Sequence, residues 1–591
     1  MSQGPRVRPL ATQEGAIAVE RSPLVVERVR QALDRPHPTR HGETRGDQLA
    51  RLAHWASLVA TLALLLAMSR RQWFVQDDWV FADNSTQGGV DGLFESYDVH
   101  WVTATLAIFK ATFEIFAFKS YLPYVVPPLL FHVVAGHLLW RLMRQTGAQA
   151  WVATSLAAAF LLCGTGPVIY LLAIETGGTG SLALGLALLL LVNHGDEDRR
   201  RDRLAIAVAV LSLPFSSVSQ ILIGVAALVV WLRRGWRAAV RLVSVPAAIY
   251  VVWFVLFARS AVERQSSAGA LLKIPLFIWS GVVATVETSV VFKGAGVLAV
   301  VALVVWVVTH WDRRGSEAAA AFALAAGVVV FFTIAGPGRV ATFARSGVIE
   351  DRYVYFTWAF ALPLIGLALT QLSERWRWRE AAAVALGLAL VVHGLSGALD
   401  QTRNQERREA NLKGLVLASA RVVTTEPFLD DVLVDADSAP SLTAARLQRF
   451  QRRGDLPALP SLDPAQQVGV ALPLQARFVP APPEGVTGAP AIGAVTGAAS
   501  EPEGSCTRIT PDGNGRPEVT LVVTAHSVLG IRSARGGEAT VVLHSRDDPD
   551  AVATADYDLA SGSEAFLELV AGRGGWSILL PDAGPTLVCR N

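Results

Sequence analysis

The chain has 591 residues, of which 52% are hydrophobic and 17% charged, and its mean hydropathy is +0.39. Soluble domains carry about 25% charged residues, so an ordinary soluble enzyme is excluded. A formal net charge of +2 offers no basic field for nucleic acid.

Residues 1–51 are rich in Arg, Pro, Gly and Gln and lack a steady apolar period. They read as a disordered cytoplasmic tail. The first apolar run, Leu52–Met68, lies too far along the chain for a signal peptide and is expected to span a membrane. A long first outer loop, 69–120, follows. It opens with Arg70-Arg71, which either anchor the helix among headgroups or contact a lipid phosphate.

Next comes Gln76-Asp77-Asp78-Trp79-Val80-Phe81. Two adjacent carboxylates just beyond the membrane can cap a helix that begins before Trp79. They can also do chemistry. One serves as a general base while its neighbour raises its pKa by like-charge repulsion, or the two hold a divalent cation such as Mg, Mn or Ca. Asp78 abuts Trp79 and is the expected base; Asp77 is the expected metal or positioning partner. From His100-Trp101 to Phe118 the loop mixes apolar and charged residues, as an interfacial helix does.

Further apolar runs cover Tyr121–Met143, Trp151–Ala173, Gly180–Asn193, Leu204–Leu213, Val218–Leu232, Val243–Phe257, Gly294–Val308, Ala318–Ala335, Tyr353–Leu372 and Ala381–Leu399. Pro214-Phe215-Ser216-Ser217 separates two of them into short helices. Basic loops at Arg141/Arg144, Arg199-Arg200-Arg201, Arg233-Arg234, Arg313-Arg314 and Arg375/Arg377/Arg379 fall on one side if Lys273–Phe292 does not span but lies on the outer surface. This gives about eleven spans, with the N-terminus cytoplasmic and the C-terminus outside. Glu175 then sits in an outer turn, either lining a cavity or solvated. A second outer loop, Gly336–Arg352, carries Arg339, Arg345 and Arg352. Arg352-Tyr353 at a helix start is an interface anchor or a phosphate site. His132, His137 and His393 read as packing residues rather than metal ligands.

Beyond Leu399 the pattern changes. Gln401–Val423 reads as a polar helix, and Leu456–Glu503, rich in Pro, Ala and Gly, as irregular. Glu518–Ala525, Val528–Ser533, Ala539–Ser545, Ala565–Val570 and Trp576–Leu580 alternate as strands of a small β-sandwich. Cys506 and Cys589 bracket this region, either as a disulfide of an exported domain or as two free thiols. The expected fold is a polytopic α-helical membrane protein: a transmembrane module at 52–399, a connector at 400–505 and a β-rich extracytoplasmic domain at 506–591.

The order of elements resembles the GT-C superfamily of integral membrane glycosyltransferases, which use polyprenyl-phosphate sugars. It comprises a first helix, an acidic pair in a long outer loop, an interfacial helix, and a second span opening Tyr121-Leu122-Pro123-Tyr124. His100-Trp101-Val102-Thr103 is similar to a His-Trp/Arg-Pro element of bacterial members, without its proline. Asp351-Arg352-Tyr353-Val354-Tyr355-Phe356 is similar to an Arg-Tyr element before a late helix. The resemblance covers roughly Leu52–Leu399, and the Arg-rich, Lys-poor composition suits a GC-rich, actinobacterial genome.

The resemblance implies a bacterial cytoplasmic-membrane enzyme that moves a hexosyl or pentosyl group. The donor is a polyprenyl-phosphate-linked sugar and the acceptor an envelope glycan, lipid or protein, with an outer-loop Asp as base. Arg352, Tyr353, Arg70, Arg71, Arg339 and Arg345 would bind the lipid phosphate. His100, Trp101, Trp79 and Glu175 would line the acceptor cavity. A transporter or flippase, or a non-catalytic envelope scaffold, are the competing classes. The near absence of charge inside the spans argues against ion-coupled transport.

Overall fold

A computed structural model describes residues 44–87, 91–97, 100–259, 271–287, 294–374, 378–513 and 515–590. Most of the expected tail, 1–43, and Arg375 and Arg377 lie outside the described residues. Helix α1, Arg45–Met68, starts inside the expected tail, because Thr44 and Asp47 form a reciprocal capping box.

The described residues contain seven helices long and apolar enough to cross a membrane: Arg45–Arg71, Leu122–Gln145, Ala173–Val192, Trp236–Ala258, Ala319–Ser346, Asp351–Ser373 and Arg379–Thr425. This corrects the expectation of eleven. The other four apolar runs form helices of 12, 14, 17 and 15 residues: Ala150–Leu161, Arg199–Ser212, Val218–Arg234 and Ala295–Thr309. At 1.5 Å per residue these rise about 18–26 Å, short of a ~30 Å hydrocarbon core. The run 151–173 breaks because the helix stops at Leu161, and a Gly164–Gly166–Pro167 turn follows. Ile274–Glu287, expected on the outer surface, sets Phe277, Gly281 and Thr285 against the bundle: Phe277 meets Phe332 and Phe343, and Thr285 bonds Thr357.

Polar contacts tie one end of the bundle together. Arg144 pairs with Asp47 at 3.3 Å, Arg234 with Asp202 at 2.8 Å, and Arg233 bonds Asn193, whose amide reaches the Glu317 carbonyl. The described basic loops therefore gather at a single end. The first loop occupies the other. There helix α2, Thr103–Phe116, where an interfacial helix is expected, buries Thr105, Leu106, Phe109 and Phe113 on one face. Its first turn donates to the Pro214 break through Ala104 N–H (2.8 Å) and Thr105 Oγ1 (3.2 Å to Phe215 O).

The expected polar helix at 401–423 is the continuation of the last span. Arg379–Thr425 is one helix of 47 residues. Past it come a hairpin, β1 (Leu433–Asp435) with β2 (Ala439–Thr443), then helix α3 (Ala444–Arg453) and helix α4 (Pro464–Gln475). Two antiparallel sheets complete the chain. One has five strands, ordered 552–559, 537–544, 575–579, 518–522 and 491–496. The other has six, ordered 476–479, 564–569, 527–533, 586–590, 506–511 and 498–503. The stretch expected to be irregular thus supplies α4 and three strands, and the sheet region begins at Ala476 rather than Cys506. Val519, Leu521, Trp576, Ile578, Leu529, Ile531 and Leu567 fill its core. Cys506 and Cys589 form a disulfide across two paired strands.

The connector seats on the first loop. Phe450 of α3 is buried against Phe118, Phe113 and Trp79, with ring centroids 4.9, 6.3 and 6.4 Å away. Asp83 receives Arg446 at 3.1 Å and Arg449 at 2.9 Å. Phe118 N–H donates to Asp455 O and Gln76 N–H to Ser438 O. The first loop and the sheet region therefore share one side of the bundle.

Phe450→Ala removes an aromatic anchor from this seam and is expected to cost about 3–5 kcal/mol. A lowered Tm and protease cleavage appearing between α3 and α4 are the expected readouts. Peptide mapping without reductant is expected to recover the Cys506–Cys589 link; two free thiols in exported protein would contradict it.

Candidate functional site

The first loop turns at Ser69–Arg71 and then runs extended to Gln76. Glu409, from the extramembrane half of the long helix, accepts Trp73 N–H at 2.8 Å, and Lys413 lies over the Trp73 ring. Gln76 adopts a left-handed φ of 48°, a conformation that costs a side-chain-bearing residue energy and persists only where neighbours enforce it. The bond to Ser438 O, on the β1–β2 hairpin, supplies that enforcement.

The helix Asp78–Thr86 begins immediately afterwards, with Asp77 at its N-cap position. Asp77 makes no side-chain capping bond, so the capping role open to it in the sequence is not used. The two carboxylates have opposite surroundings. Asp78 is 1% exposed; its Oδ2 accepts from Tyr121 OH at 2.8 Å and from Val75 N–H at 3.2 Å. Its other oxygen is buried without a partner among the described residues. Burial pushes the Asp78 carboxyl up to about 7, against the two hydrogen bonds, and the charges of Glu409 and Asp77 add to the rise. Asp77 is half-buried.

Tyr121 leads to the next segment. Its hydroxyl accepts Ala173 N–H at 3.0 Å, and Ala173 opens the turn Ala173–Glu175. Glu175 lies within electrostatic reach of Arg352 and Asp77. Gly178 leaves it room: a Cβ there would come 2.8 Å from Glu175 Oε2 and 2.7 Å from the Phe356 ring. Arg352, in the first turn of Asp351–Ser373, pairs with Glu350 through Nε at 2.6 Å and a terminal nitrogen at 2.5 Å. Its guanidinium stands 5.3 Å from the Tyr353 ring centre, and Tyr353 in turn senses Arg339. Asp77, Glu175, Arg352, Tyr353 and Arg339 are thus one neighbourhood, drawn from four segments of the chain.

Other expected site residues fall outside it. Trp79 is a packing residue, 1% exposed, enclosed by Trp73, Phe118 and Phe450, so it does not line a cavity. Trp101 lies flat on Trp253, with centroids 5.0 Å apart and planes 2° apart. His100 is half-buried and pairs its backbone with Tyr97. The second outer loop is shorter than expected, because helix Ala319–Ser346 carries Arg339 and Arg345; Arg345 is exposed. Arg70 and Arg71 are exposed, and among the described residues no hydrogen bond or ion pair joins them to the acidic pair. His132 bonds Tyr355 OH and Leu161 O through its two nitrogens, a packing role as expected.

The acidic pair does not fit a shared cation. Asp78 commits Oδ2 to Tyr121 and Val75 inside the fold, while Asp77 lies within electrostatic reach of Glu175. Among the described residues no cluster of three or more His, Cys, Asp or Glu side chains is placed to hold a metal.

Two participants escaped the sequence. Tyr121 opens the Tyr121-Leu122-Pro123-Tyr124 stretch, but nothing in the sequence marks it as the partner of Asp78. Glu409 is one acid within Glu406-Arg407-Arg408-Glu409, and only the fold distinguishes the buried one. No protein-family model matches this chain, and a search of curated proteins returns no match.

Because Asp78 titrates near 7 when folded and near 3.8 ordinarily, the folded protein holds this proton more tightly than the unfolded chain. Its contribution to stability is full below about pH 4 and disappears as pH rises through about 7. Asp78→Asn removes this titration. The wild-type Tm is therefore expected to fall relative to the variant between about pH 4 and about pH 7, in thermal unfolding across that range.

Proposed function

We propose that the chain is a membrane glycosyltransferase. It would move a sugar from a polyprenyl-phosphate carrier to a hydroxyl of an envelope glycan, lipid or protein. The observation that carries this reading is Glu175 lying within electrostatic reach of both Asp77 and Arg352, with Arg339 acting on the neighbouring Tyr353, at the bundle end that also bears the connector. Such transfer needs a base for the acceptor proton and cations for the departing phosphate, and it needs them side by side.

In this reading Asp77 is the base, because it is the carboxylate that solvent reaches. Asp78 holds the loop, which reverses the roles expected from the sequence. The acceptor oxygen attacks the anomeric carbon and Asp77 takes its proton. The bond from that carbon to the phosphate oxygen breaks, and the electron pair leaves with the polyprenyl phosphate. Arg352 has donors beyond those given to Glu350, and with Arg339 it offsets the phosphate charge. Tyr353 holds the guanidinium against its ring.

The membrane is taken to be the bacterial cytoplasmic membrane, with the basic loops inside and the site outside. Labelling of engineered cysteines in intact cells is expected to reach positions 87 and 513 but not 200. Labelling at 200 would invert this topology.

Asp77→Asn is expected to lower transfer about 10²–10⁴-fold, the usual cost of losing a base. The assay is sugar transfer from a polyprenyl-phosphate donor by purified, monodisperse enzyme. Normal turnover in both Asp77→Asn and Arg352→Gln would remove the support for this function.

A further inference from the structure

Tyr121 lies at the meeting point of two segments that the proposed chemistry requires together. Its ring is 2% exposed and packs against Phe74, with centroids 4.8 Å apart edge to face, and alongside Tyr124. Its hydroxyl donates to Asp78 Oδ2 at 2.8 Å and accepts from Ala173 N–H at 3.0 Å. Both roles of that oxygen are therefore committed. Asp78 follows Asp77 directly and Ala173 precedes Glu175 by two residues. Among the described residues, no other hydrogen bond joins the 69–86 segment to the 171–176 turn.

We propose that the Tyr121 hydroxyl is a positioning group, a two-way bridge that sets the spacing between the Asp77 carboxylate and the Glu175 turn. The bridge touches neither donor nor acceptor. It acts through Asp78, whose side chain is the other half of the bond and is fixed from behind by Val75 N–H. The same loop is held farther back by the Glu409 bond to Trp73 N–H, which restrains the strand but not its distance from Glu175. Burial matters here, since a buried amide or carboxylate that loses its partner bears the full desolvation penalty. Without it, Asp78 keeps one donor and the Ala173 amide loses its acceptor. The ring of a phenylalanine would still fill the space among Phe74 and Tyr124. A displacement of about 1 Å in groups that must act together costs roughly 10²-fold in rate.

The kinetic consequence rests on the proposed transferase activity; the bridge itself does not. The test pairs Tyr121→Phe with two readouts. The first is deuterium uptake of the peptide containing Ala173, which is expected to speed up in Tyr121→Phe and in no distant segment. The second is transfer kinetics, with kcat expected to fall about 10²-fold while donor KM stays within about 2-fold. In a double-mutant cycle with Asp78→Ala, which removes the acceptor oxygen, the combined variant is expected to be no worse than the poorer single one, since both cut one bridge. Simply additive losses would mark general destabilisation and overturn the proposal. Unchanged uptake overturns the bridge, and faster uptake with unchanged kcat overturns its positioning role. Faster uptake in a protein whose wild type transfers no sugar leaves the bridge standing and defeats the function instead. If Tyr121→Phe does not yield monodisperse protein, Asp78→Ala cuts the bond from the other side while sparing the Tyr121–Ala173 contact. Normal kcat in that variant equally overturns the proposal.

Discussion

Everything outside the membrane is organised by one helix that does not stop at the surface. Arg379–Thr425 rises about 70 Å at 1.5 Å per residue, more than twice the ~30 Å hydrocarbon thickness. Its apolar part packs on Ala150–Leu161, where Gly387 and Gly394 allow close approach: a Cβ at either would come within 2.4 Å of the facing helix or its exit. Its polar part carries Glu409 and Lys413 to the first loop and ends at Glu426, which Gln467 and Gln475 of α4 clasp. A rigid rod with both ends anchored leaves little freedom in where the connector and sheets come to rest.

The seam between rod, connector and loop is a mixture of aromatic packing and paired charge. Phe450 contributes apolar area, while Asp83 is nearly buried and would be costly there without Arg446 and Arg449. The same economy governs the acidic pair. Asp78 is tolerable in the interior because two donors face one oxygen and because its proton stays near neutral pH. Asp77, one residue earlier, stays outside that cage. Adjacent identical side chains thus acquire different chemistry from a single helix start.

Much of this was legible in the chain and some was not. The acidic pair, Glu175 and Arg352-Tyr353 stood out because charge next to a hydrophobic run is rare. That Glu175 comes within electrostatic reach of both Asp77 and Arg352 was not legible, since it follows from a turn at Ala173 that no charge pattern marks. Span number was overcounted because hydropathy measures apolar run length, whereas crossing needs unbroken helix, and the Gly164–Pro167 turn interrupts one run. The strands at 518–522 and 575–579 announced themselves by alternation. Val552–Leu559 did not, because it is an edge strand with most of its side chains exposed, so no apolar period marks it. Trp79 and Trp101 looked like cavity walls because aromatics beside a charged motif often are; here both are spent on packing.

The seam also has an order of events written into it. Trp73 and Glu409 are separated by 336 residues, and Asp83 and Arg449 by 366. At roughly 5–20 residues per second, a ribosome needs on the order of 20–70 s to make that intervening chain. The loop bearing Asp77 reaches its side of the bundle first and waits, without its rod or its Phe450 anchor, until the last third of the protein arrives. The site is therefore among the last parts of the molecule to take shape, and a truncated product that spans the bilayer would still lack it.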